Sequence, residues 1–277
     1  LEIKGDNDHT KLIAMLNDLN DYSVPMSEIL GKYFDTENIA YWMAFQLLTG
    51  NIDTQNRNVY LYSPTNSHTF YLLDWDNDGM LMRKEYEIRQ RADGQSWENG
   101  ISNYWGNILL RRCLQTKSFR TALDKAVNDE YKYMSAGRIN SMVRQYRSIV
   151  EPYVQKMPDS MHEPLTSSQY DTVADQLHSE IEQNYQTYQT GFNKPMPFYI
   201  GKPTPANGKL RLNWDVAYDF NDEDLRYAVT VSKDYAGDDV VFSQRDVVLP
   251  EAVMDMPDEG QYFIKVSVRN ARSEERR

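Results

Sequence analysis

Four acidic or amide side chains in the first third of the sequence have the types and spacing needed for phosphoryl transfer. Asp53 lies five residues before Asn58, and Asp76 and Asp78 follow further along the chain. Phosphoryl transfer needs one carboxylate to orient the attacking hydroxyl. It also needs a second carboxylate, helped by an amide oxygen, to hold the metal ions that neutralise the phosphates. Asp53 suits the first task, and Asn58 and Asp76 suit the second.

The segments around these residues predict a rigid support for them. Asp35 and Thr36 offer helix caps and Gly50 offers a stop, and residues 39–45 between them are apolar on nearly every side, which predicts a buried helix. The strand-like runs 59–62 and 69–73 flank a turn and predict a β-hairpin. Adjacent strands bring both ends of a hairpin together. We therefore expect Asp53 and Asp76 to share one cleft, with carboxyl oxygens within about 8 Å of each other.

A calcium-binding motif overlaps the second half of this pattern. Residues 74–85 fit D-x-D-x-D-G-x5-E, with Glu85 at the twelfth position. Two helices normally flank that loop, whereas here a predicted strand precedes it. A calcium site remains one alternative. In another, these Asp and Asn side chains only stabilise turns by bonding to local backbone.

Three short motifs resemble those of the CotH (spore-coat protein H) kinase family, which has a G-N-x-D loop, an N-x-Y-L-Y strand and a W-D-x-D motif. They are Gly50-Asn51-Ile52-Asp53, Asn58-Val59-Tyr60-Leu61-Tyr62 and Leu73-Asp74-Trp75-Asp76-Asn77-Asp78. The five-residue step from Asp53 to Asn58 is also the D-x-x-x-x-N spacing of protein kinases. The resemblance implies that Asp53 is the catalytic aspartate, that Asn58 and Asp76 bind metal, and that Asp78 is the second aspartate of the metal motif.

The resemblance also implies an activity. It implies an atypical protein kinase that transfers phosphate from ATP, or another nucleotide, to a protein hydroxyl with Mg²⁺ or Mn²⁺. Ca²⁺ remains the alternative metal for residues 74–85. The implied substrate is a surface or coat protein, and the implied location is extracellular or at the cell surface, in a bacterium.

One departure from the kinase pattern concerns lysine. A kinase holds the nucleotide phosphates with a lysine from an N-terminal sheet, but Lys4, Lys11 and Lys32, the lysines before Asp53, lie in no strand-like run. We therefore expect that an N-terminal lobe is missing and that these 277 residues are inactive by themselves; the other explanation is a degenerate relative of the family. The alternative is a non-catalytic surface adhesion or scaffold protein with a calcium-binding loop at 74–85.

The predicted fold class is α+β with two domains. Residues 1–194 form a mainly helical, kinase-like C-lobe with the hairpin at its active site. Within it, the apolar stripes over 139–157 and 170–188 predict packing faces. A proline-rich break then leads into residues 197–277, whose short alternating runs predict an all-β sandwich. Trp214 in this part resembles the core tryptophan of immunoglobulin-like or fibronectin type III domains, and we expect the Tyr262 hydroxyl to bond to backbone as in their tyrosine corner.

Composition excludes some partners and leaves others open. The net charge is −11 with no basic patch, which argues against nucleic acid as a partner. No apolar run reaches membrane-spanning length. The single cysteine, Cys113, lies in an apolar run that predicts a buried thiol, and the four histidines are scattered rather than spaced as metal ligands.

Overall fold

The computed structural model describes residues 8–55, 57–89, 99–162, 165–272 and 275–276. These residues form two compact units. One holds the described residues up to 89 and those from 106 to 187, and the other holds 99–105 and those from 188 onward. Helices and strands are both well represented, which agrees with the α+β class. The first unit ends at residue 187. The domain boundary predicted at 194–197 and the predicted identities of the two domains remain predictions.

Eight α-helices span the described part of the chain, and α8 extends beyond the first unit into the second. They are α1 (Thr10–Asn20), α2 (Met26–Tyr33), α3 (Thr36–Thr49), α4 (Arg83–Ile88), α5 (Ile108–Gln115), α6 (Lys117–Tyr133), α7 (Ala136–Val154) and α8 (Ser167–Gly191). The first unit also contains the antiparallel hairpin of β1 (Tyr60–Tyr62) and β2 (Tyr71–Leu73). Among the described residues, no helix has the length and apolar content needed to cross a membrane.

Helix α3 begins and ends where the local sequence predicts. The Asp35 side chain accepts a hydrogen bond of 2.9 Å from the backbone N–H of Asn38, which satisfies one of the free donors at the helix start. The helix ends at Gly50, whose φ of +60° is readily available to glycine. Between these ends α3 is buried on most sides, so it is a fixed platform for the loop that follows it.

The prediction of a packing face on α7 is wrong for the described residues. No residue of α7 is buried, and the apolar side chains of its stripe, including Met142, Tyr146 and Tyr153, are 44%, 57% and 66% exposed. The helical spacing is present, but the elements described here do not cover that face. On α8 the same kind of stripe is buried at Ile181 and Tyr188.

The second unit contains two antiparallel sheets around a shared apolar core. One has the order β3-β4-β7 and the other β6-β5-β8-β9. Their strands are β3 (Thr204–Ala206), β4 (Lys209–Asn213), β5 (Arg226–Ser232), β6 (Val240–Val247), β7 (Glu251–Asp255), β8 (Phe263–Arg269) and β9 (Glu275–Arg276). Trp214 is buried in this core, as predicted, and the Tyr262 hydroxyl donates to the carbonyl of Asp258 over 3.0 Å.

Candidate functional site

Two loops meet at the end of α3. The first loop comprises the described residues 50–55 and 57–59 and leads into β1. The second loop, residues 74–82, leads from β2 into α4. The backbone N–H of Leu81 donates to the carbonyl of Thr49 over 2.8 Å. That bond fixes the second loop to the helix that supports the first.

A glycine allows the two loops to approach closely. A Cβ atom on Gly79 of the second loop would lie 3.0 Å from Asn51 Oδ1 and 3.2 Å from the Cβ of Asp53. Both distances are shorter than comfortable van der Waals separations, so a side chain here would push the loops apart. Gly79 therefore brings the backbone of the metal motif against the residue predicted to be catalytic.

Asp53 is held by three contacts from the first loop. Asn58 Nδ2 donates to Asp53 Oδ2 over 2.9 Å, and Arg57 Nη2 donates to Asp53 Oδ1 over 2.7 Å. The backbone N–H of Asp53 donates to Asn51 Oδ1 over 3.1 Å. The Asp53 side chain retains 28% of its exposure, so a ligand from solvent can reach it. The predicted catalytic aspartate and one predicted metal ligand are thus in direct contact.

Asn58 and Asp76 both have left-handed backbone conformations. Their φ angles are +53° and +55°, a region that costs most non-glycine residues free energy and that Asn and Asp tolerate better than others. Strained conformations of this kind are found preferentially at functional sites. At Asn58 the left-handed conformation turns the side-chain amide back toward Asp53. At Asp76 it begins the 3₁₀ turn Asn77–Gly79.

The carboxylates of Asp76 and Asp78 are available to a ligand. Both residues are exposed, and within the described part of the chain neither side chain makes a hydrogen bond or an ion pair. Free carboxylates and an amide oxygen such as that of Asn58 are donors that suit Mg²⁺, with substrate phosphates and water completing its shell. The residue types therefore fit the metal that the sequence implies, although no contact places Asp76 or Asp78 against Asn58.

Two buried amides hold the second loop in place, one from the first loop and one from α3. Asn51, 1% exposed, donates through Nδ2 to Asn77 Oδ1 over 3.2 Å. Gln46 of α3 is fully buried, and its Nε2 donates to Asp74 Oδ1 over 3.0 Å. Asn51 belongs to the G-N-x-D motif, which was a usable signal. Gln46 lies in an apolar helix with nothing in the local sequence to mark it.

Two further carboxyl groups near the second loop have raised pKa values. Burial raises the pKa of Glu130, on α6, to about 8, and the nearby charge of Asp74 adds to the rise. Burial also raises the pKa of Asp74, while the hydrogen bond from Gln46 opposes that change. Perturbed carboxyl groups cluster at functional sites more often than elsewhere. Glu130 is far from Asp74 in sequence and was not predicted.

The calcium-loop alternative lacks its geometry. The Glu85 carboxylate pairs with Arg89 Nη1 over 2.7 Å on α4, and Asp74 is bonded to Gln46. Over the described ranges, no three His, Cys, Asp or Glu side chains come together as a metal cluster. A preformed calcium loop would bring the carboxylates of residues 74–85 together around one point, and these carboxylates do not converge here.

The lysines described before Asp53 are already engaged. Lys11 Nζ donates to the carbonyls of Pro64 and Ser67 over 2.8 and 2.7 Å, and Lys32 Nζ pairs with Asp18 over 2.8 Å. Lys4 lies outside the described residues. Lys11 therefore fixes the hairpin turn, and neither described lysine extends toward Asp53.

Comparison with known proteins identifies one family. The family model for CotH kinase protein matches residues 1–188, which is well over half of the chain. It covers the whole of the two-loop site. A search of curated proteins finds no match for the chain.

Proposed function

The chain belongs to the CotH kinase protein family, and from this premise we propose that the two-loop site serves the transfer of phosphate from a nucleotide to a protein hydroxyl. The observation that carries the proposal is the hydrogen bond from Asn58 Nδ2 to Asp53 Oδ2. A carboxylate and an amide five residues apart meet in the first loop, and the exposed acids of the second loop follow the hairpin, which supports a role in phosphoryl transfer.

Each residue has a chemical role in this proposal. Asp53 orients the substrate hydroxyl and accepts its proton while the hydroxyl oxygen bonds to phosphorus and the bond to the leaving nucleotide breaks. Asn58 and Asp76 would hold Mg²⁺ or Mn²⁺, and Asp78 would be the further acid of the metal motif. The metal, when bound, neutralises phosphate charge. Arg57 fixes the second oxygen of Asp53, so one carboxylate orientation is favoured.

Activity of these 277 residues alone is expected to be low. Nucleotide phosphates carry several negative charges that a metal only partly offsets, and kinases add a lysine for this purpose. The protein itself has a net charge of −11, and Lys11 and Lys32 are engaged elsewhere. We propose that an N-terminal lobe supplies the missing cation.

The second unit is proposed to be a fibronectin type III-like module. Its two antiparallel sheets and the buried Trp214 support this assignment. Together with a spore-coat family, such a module favours an extracellular or surface location and a surface or coat protein as substrate. The rival function, a calcium-stiffened adhesive scaffold, is disfavoured by the pairing of Glu85 with Arg89.

The experiment compares phosphate transfer by wild-type protein and by Asp53→Asn. Radiolabelled nucleotide, Mg²⁺ or Mn²⁺ and a bacterial coat-protein extract are incubated with the chain, alone and fused to any N-terminal region encoded upstream of it. We expect Asp53→Asn to lower the rate by roughly 10²–10⁴ with unchanged folding. Asp124→Asn, an exposed change on α6, is the control. No transfer in any form, or equal transfer by Asp53→Asn, would refute the proposal.

A further inference from the structure

A polar cluster at the start of the second loop has no role in the proposed chemistry. Its centre is Gln46, which is 0% exposed and whose Oε1 has no hydrogen-bond partner. Burying an amide oxygen without a partner costs free energy, so such atoms usually mark an unseen ligand or a functional constraint. The Nε2 of the same amide donates to Asp74 Oδ1 over 3.0 Å. The unpartnered oxygen is therefore within a few ångströms of that carboxylate.

The packing of α3 on α6 brings Glu130 to the same place. Early in α3, Glu37 and Ala40 line a groove with Ala122 and Lys125 of α6. Further along, Tyr41 on α3 donates through its hydroxyl to Asp129 on α6 over 2.9 Å.

Further along the same two helices lie Gln46 on α3, which is buried, and Glu130 on α6, which is half-buried. Glu130 Oε2 is buried and, like Gln46 Oε1, has no hydrogen-bond partner. Two unsatisfied oxygens and the Asp74 carboxylate thus belong to one region.

The charge in this region is uncompensated. Within the described ranges, neither Asp74 nor Glu130 forms an ion pair. Buried charges in proteins are normally paired or bound to a metal. Gln46 Oε1 and Glu130 Oε2 are two acceptors without a donor, and a cation would satisfy both.

We propose that the carboxylates of Asp74 and Glu130, together with Gln46 Oε1, bind a hard divalent cation such as Ca²⁺ or Mg²⁺ at a site separate from Asn58 and Asp76. All three donors are oxygens, which these cations prefer. Asp74 is exposed, so solvent gives the ion an entry path and supplies water for its remaining positions. Bound there, the ion would fasten the end of β2 to α6. The site does not depend on phosphoryl transfer by the neighbouring loops.

The test isolates this site from the predicted catalytic metal ligands. The full chain carrying Asp76→Asn and Asp78→Asn is titrated with Mn²⁺, and free Mn²⁺ is measured by electron paramagnetic resonance, without nucleotide. Competition with Ca²⁺ and Mg²⁺ follows. We expect one site with a Kd of about 10⁻⁴–10⁻³ M, the range of weakly charged oxygen sites. Adding Glu130→Gln, or Asp74→Asn, should weaken binding by about 100-fold.

Controls make each outcome decisive. Glu130→Gln keeps the shape of the side chain and can donate to Gln46 Oε1, so the fold should persist, as circular dichroism will verify. Asp124→Asn, on an exposed position of the same helix, should leave binding unchanged. If the Asp76→Asn/Asp78→Asn protein binds no Mn²⁺, the proposed site is refuted, and a proton rather than a metal ion neutralises Asp74 and Glu130. Equal binding with and without Glu130→Gln overturns it too. Neither result affects the phosphate-transfer assay.

Discussion

Asn58 Nδ2 donates a hydrogen bond of 2.9 Å to Asp53 Oδ2. The bond exists because Asn58 has a left-handed backbone with φ of +53°, which turns its side chain back along the loop. A five-residue spacing in the sequence thereby becomes a contact in space. That contact joins the group proposed to accept a proton with a group proposed to hold metal.

Asp76→Asn should abolish metal-dependent nucleotide binding while leaving the protein folded. Asparagine tolerates the left-handed backbone at this position, where φ is +55°, but it removes the charge that holds a divalent ion. Titration calorimetry with Mn²⁺–ATP measures the effect on the chain or its extended form. Asp78→Asn should cause a smaller loss. Equal nucleotide affinity in wild-type protein and Asp76→Asn would remove Asp76 from the site.

Gly79→Ala should destabilise the two-loop site. The added Cβ would meet Asn51 Oδ1 at 3.0 Å and the Cβ of Asp53 at 3.2 Å, and both residues are fixed by hydrogen bonds. We expect a loss of about 1–3 kcal/mol in unfolding free energy, as for other overpacked positions, and faster hydrogen exchange at the amide of Asp53. Gly31→Ala, where no heavy atom lies within 4 Å of the new Cβ, is the matched control. Identical stability of the two variants would contradict the close approach of the loops.

Glu130→Gln should stabilise the protein at alkaline pH when divalent ions are removed. The pKa of Glu130 rises from 4.5 to about 8 on folding, so the folded state binds the proton more tightly than the unfolded state. Wild-type stability therefore falls as pH rises from about 4.5 to about 8, and the glutamine variant lacks this loss. Thermal unfolding in EDTA from pH 4 to pH 9 measures the difference. If the stabilities of the two proteins changed in parallel across this pH range, folding would not raise the pKa of Glu130.

Trp214→Ala should destabilise the second unit far more than a change on its surface. Trp214 is 4% exposed and packs on Tyr227 with ring centroids 5.5 Å apart. Removing a buried ring of this size typically costs about 3–5 kcal/mol. Tyr199→Ala, at a side chain that is 64% exposed, should change stability by less than about 0.5 kcal/mol. Denaturant unfolding followed by circular dichroism makes the comparison, and similar losses in both variants would place Trp214 outside the core.

The parts predicted well from the sequence are those fixed by neighbouring residues. Helix α3 starts at a capping aspartate and stops at a left-handed glycine, and the hairpin follows from strand-forming runs around a turn. The burial of Trp214 follows from its place at the end of a strand. The family assignment was also correct, because its motifs are short and contiguous.

The parts that could not be predicted depend on partners far apart in the chain. Nothing near Gln46 in the sequence identifies Asp74 as its hydrogen-bond partner, and Glu130 reaches the same region only because α6 packs on α3. The stripe on α7 has the period of a buried face but is exposed among the described elements, since periodicity predicts a potential to pack and not the presence of a partner.

The most direct test is the position of the metal in a crystal of the protein soaked with Mn²⁺ and a non-hydrolysable ATP analogue, located by anomalous scattering. We predict a nucleotide-dependent Mn²⁺ peak bound by Asp76 and Asn58, at roughly 2–2.5 Å from their oxygens, with Asp53 facing the terminal phosphate. A nucleotide-dependent peak with no contact to Asp76 or Asn58 would contradict it. So would a single ion ringed by the acids of residues 74–85 with Glu85 released from Arg89, which would establish the calcium loop instead.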